Sequence, residues 1–370
     1  MNILRRLPLS RLLILCGVVV AAGISITAIA SALSAGPTPA PKPLAQAVHD
    51  ALSAPPVQGV SARVTLTNHL LEGANLASGG GKGGEITSNP LVTGGSGRLW
   101  IAADGRVRLE LQAEQGDTEV ISDGHTISIY DAASNTLYRY TPTASETGSG
   151  SATAHAGSTG QPPSVAQIEN AISHIGAHAD LSGAQPTDVA GRAAYTVRIS
   201  PKEGGSLLGG AELSFDAANG VPLRAAIYSS TSPSPVIELA ATEVSYGPVE
   251  SSVFSFTPPA SAKIVQVVPP SKASAAHKSP HKHAAGEKPQ LSSHGKGLAT
   301  IGVLETRSKS GKASSSSELE GLPKVQIGST TATELRTALG TILSFQRAGV
   351  TYVLAGSVTP AAIEALARGL

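Results

Sequence analysis

The sequence predicts an α+β fold: an antiparallel β-sheet built from hairpins and covered by helices. Three observations carry this. Apolar and polar residues alternate with period two in several segments between positions 59 and 266, many bounded by turn dipeptides such as Asp104-Gly105, Asp123-Gly124 and Asn219-Gly220. A few other segments switch to helical spacing. Strands of the alternating kind have one apolar face, which demands a second layer.

Composition bounds the rest. The 370 residues carry a formal net charge of +1, with 41% hydrophobic, 14% charged and 3% aromatic residues. That balance excludes a strongly basic nucleic-acid binder and a polytopic membrane protein. Gly 40 and Pro 25 dilute the apolar content, so one principal domain with looser insertions is expected. The single cysteine, Cys16, lies in an N-terminal apolar run, so the remainder can form neither a disulfide nor a cysteine metal site.

Residues 1–35 are a signal peptide or an N-terminal membrane anchor. Arg5, Arg6 and Arg11 precede an apolar run of about 19 residues, 12–30, enough to cross a hydrocarbon layer of roughly 30 Å. Ala28-Ile29-Ala30 and Ala30-Ser31-Ala32 offer cleavage sites in the other case. Either fate puts the chain from about residue 36 outside the cytoplasm, anchored to the cell membrane or secreted. Leu15 before Cys16 argues against a lipid-modified cysteine.

A Pro-rich spacer, 36–43, leads into a β-rich domain over 44–268. Leu44, Val48 and Leu52 recur at helical spacing after Pro43, and the pattern stops before Pro55 and Pro56. A strand follows over 59–71, then a flexible Gly/Ser insertion, 73–97. Strands resume as a hairpin in which Val107, Leu109 and Leu111 share one face and Arg106, Arg108, Glu110 and Gln112 the other. The meander continues through 117–122, 125–131 and 136–141 to a second flexible insertion, 141–163. Ser164 and Gln167 form a capping box for a helix with Val165, Ile168, Ile172 and Ile175 on one face. Further strands fill 193–268.

Residues 269–317, rich in His, Lys and Ser, are expected as disordered linker. The end, 318–370, is expected as a helix–strand–helix segment. Thr331 and Glu334 make a capping box, Leu335, Leu339, Ile342 and Leu343 follow at helical spacing, and Gly349 ends that helix. A strand covers 351–355, and Thr359-Pro360 begins a last helix carrying Ile363, Leu366 and Ala367. Too small to bury much alone, this segment is expected to dock on the main domain.

No catalytic set is legible. His125, just past a turn, has no paired nucleophile and is expected as a surface strand residue; no serine sits in a GxSxG context. His277, His281, His283 and His294 fall in the linker and are expected as solvated spacer rather than a metal site. GGGKGG around Lys82 lacks the Ser/Thr and strand-to-helix context of a phosphate loop. No cofactor and no metal are expected.

Several blocks together resemble the LolA-like lipoprotein-carrier superfamily, including its RseB/MucB-like regulatory relatives and the LppX-like lipid-binding proteins of actinobacteria. They are the leading helix and strand LAQAVHDALSAPPVQGVSARVTLTNHL, the hairpin RLWIAADGRVRLELQ, the block ISDGHTISIYDAASNTLYRYT, the pair AELSFDAANGVPLRAAIYS and the exit VFSFTPPASAKIV. They span about 44–268, and the DGxTxxxYDxxxNxLYRY block is the most telling. The resemblance implies a strongly curved antiparallel sheet, an incomplete barrel, whose concave side is covered by helices and holds acyl chains.

It also implies a non-catalytic binder of lipid or lipoprotein acyl chains at the outer side of the cytoplasmic membrane. The alternative it offers is an RseB-like sensor binding the extracytoplasmic part of a membrane partner such as an anti-sigma factor. From the residues alone, Trp100, Val107, Leu109, Leu111, Ile127, Ile129, Val197, Leu213, Phe215, Ile227 and Leu239 are the apolar strand set of a core. The resemblance implies that they line an acyl-chain cavity, where each buried methylene contributes roughly 0.8 kcal/mol.

Overall fold

Period-two patterning produces two sheets, antiparallel except for one parallel edge pair between residues 263–266 and 136–139, in the computed structural model, which describes residues 36–72, 89–114, 116–142, 162–267, 290–307 and 322–370. The expected signal or anchor, and most of both insertions and of the linker, lie outside these residues. The first sheet contains β1 (Gly59–Asn68), β2 (Gly95–Ala102), β3 (Val107–Ala113), β4 (Gly116–Ser122), β5 (Ile127–Asp131) and β6 (Thr136–Tyr140). Its second half contains β7 (Ala179–Leu181), β8 (Gln185–Val189), β9 (Arg192–Pro201), β10 (Leu208–Asp216), β11 (Pro222–Ser229), β12 (Pro235–Tyr246) and β13 (Lys263–Gln266). The order is β13-β6-β5-β4-β3-β2-β1-β12-β11-β10-β9-β7, with β8 also on β9; the terminal strands do not pair, so the sheet is open.

Register gives this sheet two unlike faces. Across one run Val197, Leu213, Ala225, Leu239 and Leu66 in consecutive partnership. Beyond β1 the same face continues through Leu99, Leu109, Val120, Ile129 and Tyr138. The other face is an ionic ladder: Arg198 to Glu212 at 3.0 Å, Glu212 to Arg224 at 2.8 Å, Arg224 on to Glu238, Arg63 to Glu243 at 3.1 Å, and Arg108 between Glu110 and Glu119. Opposite charges on neighbouring strands support the pairing of the face that carries them.

Helices lie on the apolar face. In α1 (Leu44–Ser53), Ala45 and Ala47 are buried, and Ala47 packs with Ala184, Tyr195 and Phe215. Residues 89–97, expected within a flexible insertion, instead form the short helix α2 (Pro90–Thr93) and the start of β2. Asn89 drives the local order, since its side chain accepts from the Leu91 N–H at 2.9 Å and from Thr118 Oγ1 at 3.2 Å. α3 (Val165–Gly176) has the expected capping box, with the Ser164 N–H donating to Gln167 Oε1 at 2.8 Å. The exit segment crosses the ionic face: Arg108 Nη1 donates to the Val253 carbonyl at 2.6 Å, and Phe256 packs on Tyr130 at 5.4 Å between centroids.

The C-terminal region keeps the expected strand at 351–355 and the last helix from Pro360, but strands replace the first helix of the helix–strand–helix expectation. β14 (Gln290–His294), β15 (Ile301–Arg307), β16 (Lys324–Ile327), β17 (Thr330–Thr337), β18 (Gly340–Arg347) and β19 (Val350–Gly356) form a second sheet, order β14-β15-β19-β18-β17-β16, against α4 (Pro360–Gly369). Residues 290–307 therefore belong to a folded module and not to a linker. The predicted helix over 331–343 is a hairpin, because Leu335 faces Ile342 and Glu334 faces Leu343 across it. A tight turn thus spaces apolar residues as two helical turns do. Gly349 closes no helix: with Ala348 (φ 50°) it has φ 77°, the backbone of a primed hairpin turn.

Val303, Ile327, Leu343, Leu354, Ile363 and Ala367 are fully buried between this sheet and α4. The two sheets meet through main-chain hydrogen bonds, from the Leu207 N–H to the Ser357 carbonyl at 2.8 Å and from the Ala338 N–H to the Leu70 carbonyl at 3.0 Å. Among the described residues, no helix is long and apolar enough to cross a membrane.

Candidate functional site

Amphipathic helices over an apolar sheet face enclose a space only if the layers do not close on each other. Here they do not. Leu44, Val48 and Leu52 of α1 and Ile168, Ile172 and Ile175 of α3 form the roof of a cavity of about 480 Å³; Leu181, Val197, Ile199, Ala211, Leu213 and Phe215 form its floor. That volume is within the usual range for ligand sites. α1 and α3 pack on each other, and α3 also packs on β7. Roof residues recur at i, i+4 along α1 and at i, i+4, i+7 along α3, so each helix turns one stripe inward.

The lining is aliphatic apart from Phe215, Pro163, Gln167 and Glu212. Glu212 brings little charge to it. Its carboxylate accepts from Arg198 Nη1 at 3.0 Å, Arg224 Nη1 at 2.8 Å and the Tyr228 hydroxyl at 2.7 Å. Burial alone pushes this carboxyl up, but Arg224, Tyr228 and Arg198 outweigh it and hold it below the usual glutamate range. The charge is thereby compensated on the ionic face. Leu52, Ile175, Ile199 and Leu213 remain exposed at the mouth.

A second, smaller cavity of about 170 Å³ lies on the same sheet face under β11, β12, β1 and β2, lined by Val60, Ala62, Val64, Leu99, Ile101 and Leu239 among others. Leu213 on the floor of the first cavity is paired with Ala225, which lines the second.

The strand residues predicted from the sequence divide accordingly. Val197, Leu213 and Phe215 line the main cavity and Leu239 the smaller one. Ile227, paired with Ala211, lies on the same face. Val107, Leu109, Ile127 and Ile129 share that face on β3 and β5, away from both cavities. Leu111, 1% exposed, is core on β3, where α2 packs.

Trp100 is on the opposite face. It pairs with Arg108, whose guanidinium is 6.0 Å from the indole centroid. The run Leu99-Trp100-Ile101 is apolar on both sides, so only the register with β3 assigns its faces. The sequence reading missed the roof as lining: it placed those residues on covering helices, and periodicity alone does not reveal a gap beneath them.

Among the described residues, one Ser–His–Asp row on α1 invites comparison with a hydrolytic site. Ser53 Oγ, His49 Nε2, His49 Nδ1 and Asp50 Oδ1 line up on α1 with separations of 3.5 and 3.5 Å. These exceed the reach expected of a nucleophile–base pair. Asp50 is held instead by Lys42 and Gln46, each at 2.6 Å. Among the described residues no group of three His, Cys, Asp or Glu side chains is arranged to hold a metal. His125 is exposed at its turn, and His294 is on β14; His277, His281 and His283 lie outside the described residues.

No protein-family model and no curated protein matches the chain. Among solved structures it is similar to MucB in complex with MucA(peri), at 16% identity and a TM-score of 0.40, covering 87% of this chain and 93% of that one. The Pseudomonas aeruginosa MucA/MucB complex matches at 15% identity and a TM-score of 0.40, covering 88% and 94%. A LolA superfamily protein from Nitrosomonas europaea matches at 7% identity and a TM-score of 0.19, covering 85% and 90%.

Proposed function

We propose that this chain is a non-catalytic binder of acyl chains, taken from a lipid or an acylated lipoprotein, at the outer side of the cytoplasmic membrane. One observation carries the reading: an aliphatic cavity of about 480 Å³, open at a mouth rimmed by exposed leucine and isoleucine side chains. A gap of that size left unfilled forfeits dispersion contacts that a bound chain restores. The apolar sheet face lies beneath the two helices, and the candidate strand residues on it extend the contact surface beyond the main cavity. α3 moves aside to admit the chain, a lid motion paid for by the chain's burial. The N-terminal segment delivers the domain across the membrane and either tethers it there or is removed. No nucleic acid and no cofactor enters this reading.

The test is mass spectrometry of organic extracts from the protein purified out of its native envelope. A stoichiometric acyl species is the expected result; repeatedly empty protein refutes the reading.

A second reading, a regulatory sensor that binds the extracytoplasmic part of a membrane protein such as an anti-sigma factor, is favoured by a different observation. β14 is exposed along its whole length at the edge of the second sheet, with Leu291 79% exposed, a geometry suited to strand addition. Recovery from membranes of one stoichiometric protein partner with no lipid supports it over the first.

A further inference from the structure

We infer that the main cavity takes one unbranched acyl chain of about sixteen carbons, from a single-chain amphiphile whose headgroup stays outside. The inference rests on the acyl-binding reading above and adds the number of chains.

Capacity is the first argument. A methylene is close in size to a water molecule, whose share of liquid volume is about 30 Å³, so the 480 Å³ cavity holds about sixteen such groups. The smaller cavity on the same face, about 170 Å³, holds about six. That is too little for a second full chain. A diacyl lipid or a triacylated lipoprotein would leave at least one chain in water.

Wall chemistry is the second. The roof rows of α1 and α3 and the floor at Val197, Ile199 and Leu213 are branched and aliphatic, with Phe215 the one aromatic ring among the described lining residues, tilted on Tyr195 at 6.0 Å. Such walls suit a flexible chain rather than a flat polycycle, for which stacked rings are the usual partners. The third argument concerns the headgroup. Glu212, the one ionisable side chain among the described lining residues, is committed to Arg198, Arg224 and Tyr228, which leaves Gln167 as the other polar side chain among them. A phosphate or ammonium inside the cavity would therefore be buried without a partner, which is strongly unfavourable.

The experiment titrates the full-length chain with monoacyl phosphocholines of about ten to about twenty carbons and reads affinity and stoichiometry by calorimetry. Affinity is expected to tighten about fourfold per added methylene up to about sixteen carbons and then level off, with one ligand per chain. Leu213→Trp, at an exposed floor position, is expected to weaken the longest ligands about tenfold by filling the cavity. Leu291→Trp in the second sheet is expected to leave affinity unchanged. Two ligands per chain, tightening that continues through the longest chains, or a diacyl phosphocholine that binds tighter than its monoacyl form overturns the single-chain inference while the acyl-binding reading stands. Unchanged affinity in Leu213→Trp overturns the assignment to this cavity. Binding of no amphiphile at all, together with empty native extracts, removes the acyl-binding reading itself.

Discussion

Truncating Ile168 to alanine separates a helix that is fixed to its sheet from one that can lift away. Ile168 is the one buried side chain of α3, at 7% exposure; Val165 and Ile172 are half-buried and Ile175 is exposed. Replacing a buried isoleucine by alanine costs roughly 2–5 kcal/mol, and the low end, about 2 kcal/mol, applies where neighbours can relax into adjoining space. The cavity beside Ile168 provides that space. If α3 opens locally, the whole loss falls on the opening equilibrium of the helix, about 30-fold at about 1.4 kcal/mol per decade. Native-state hydrogen exchange followed by mass spectrometry reads this directly. Protection of α3 amides should fall by about 30-fold while β9 and β10 keep theirs. Equal loss in β9 and β10 would show that the helix opens only when the sheet does, and would sink the lid mechanism; no loss anywhere would show that Ile168 does not hold the helix.

Two further outcomes concern titration. Asp216 is 1% exposed; burial pushes its carboxyl up, but the Tyr246 hydroxyl at 2.7 Å, the Ala218 N–H at 2.8 Å and Arg192 Nε at 2.9 Å hold it below the ordinary aspartate value of 3.8. Its stabilisation is present above 3.8 and lost as pH falls through the depressed folded value, so Asp216→Asn should cost about 2 kcal/mol near neutrality and progressively less in acid, measured by urea unfolding. Glu119 is the opposite case. Burial raises its carboxyl above the ordinary 4.5, Arg108 opposing and Glu110 reinforcing, so the stability it contributes is lost as pH rises from 4.5 through the raised value. Glu119→Gln should therefore gain stability relative to the parent chain across that window; a difference that stays flat with pH would contradict the desolvation account.

Three hairpins of the first sheet, β2–β3, β4–β5 and β10–β11, were legible because their turns are chemically marked. Gly105, Gly124 and Gly220 have φ of 86°, 89° and 72°, backbone that glycine adopts without strain, and each follows an Asp or Asn in the sequence. α3 was legible from its capping box. The β17–β18 hairpin was not, since the turn at 338–339 carries no such dipeptide, and Leu335, Leu339, Ile342 and Leu343 fit a helical stripe as well as a hairpin. What decides between them is tertiary: Leu343 is buried against α4 and its neighbours in the sheet, a context no local window contains. The cavity was half legible. Its floor residues Val197, Leu213 and Phe215 and its roof stripes could both be read from periodicity, but the space between them depends on how closely two layers approach.

The two unlike faces of the first sheet also bear on how the chain finds its pairing. Because side chains alternate, a slip of one residue anywhere along β10 would exchange Leu213 for Glu212 or Ser214 beneath the helices and turn leucine out among the arginines. Each such mispairing strands charge in an apolar space and breaks the Arg198–Glu212–Arg224–Glu238 series at once. The real departures from regular register, at Arg63/Val64, Leu208/Gly210, Ser214/Phe215 and Ile227/Tyr228, are all on β1, β10, β11 or β12. Proofreading of strand alignment is thus built into the contrast between the faces, and it is strongest in the strands that carry the cavity floor.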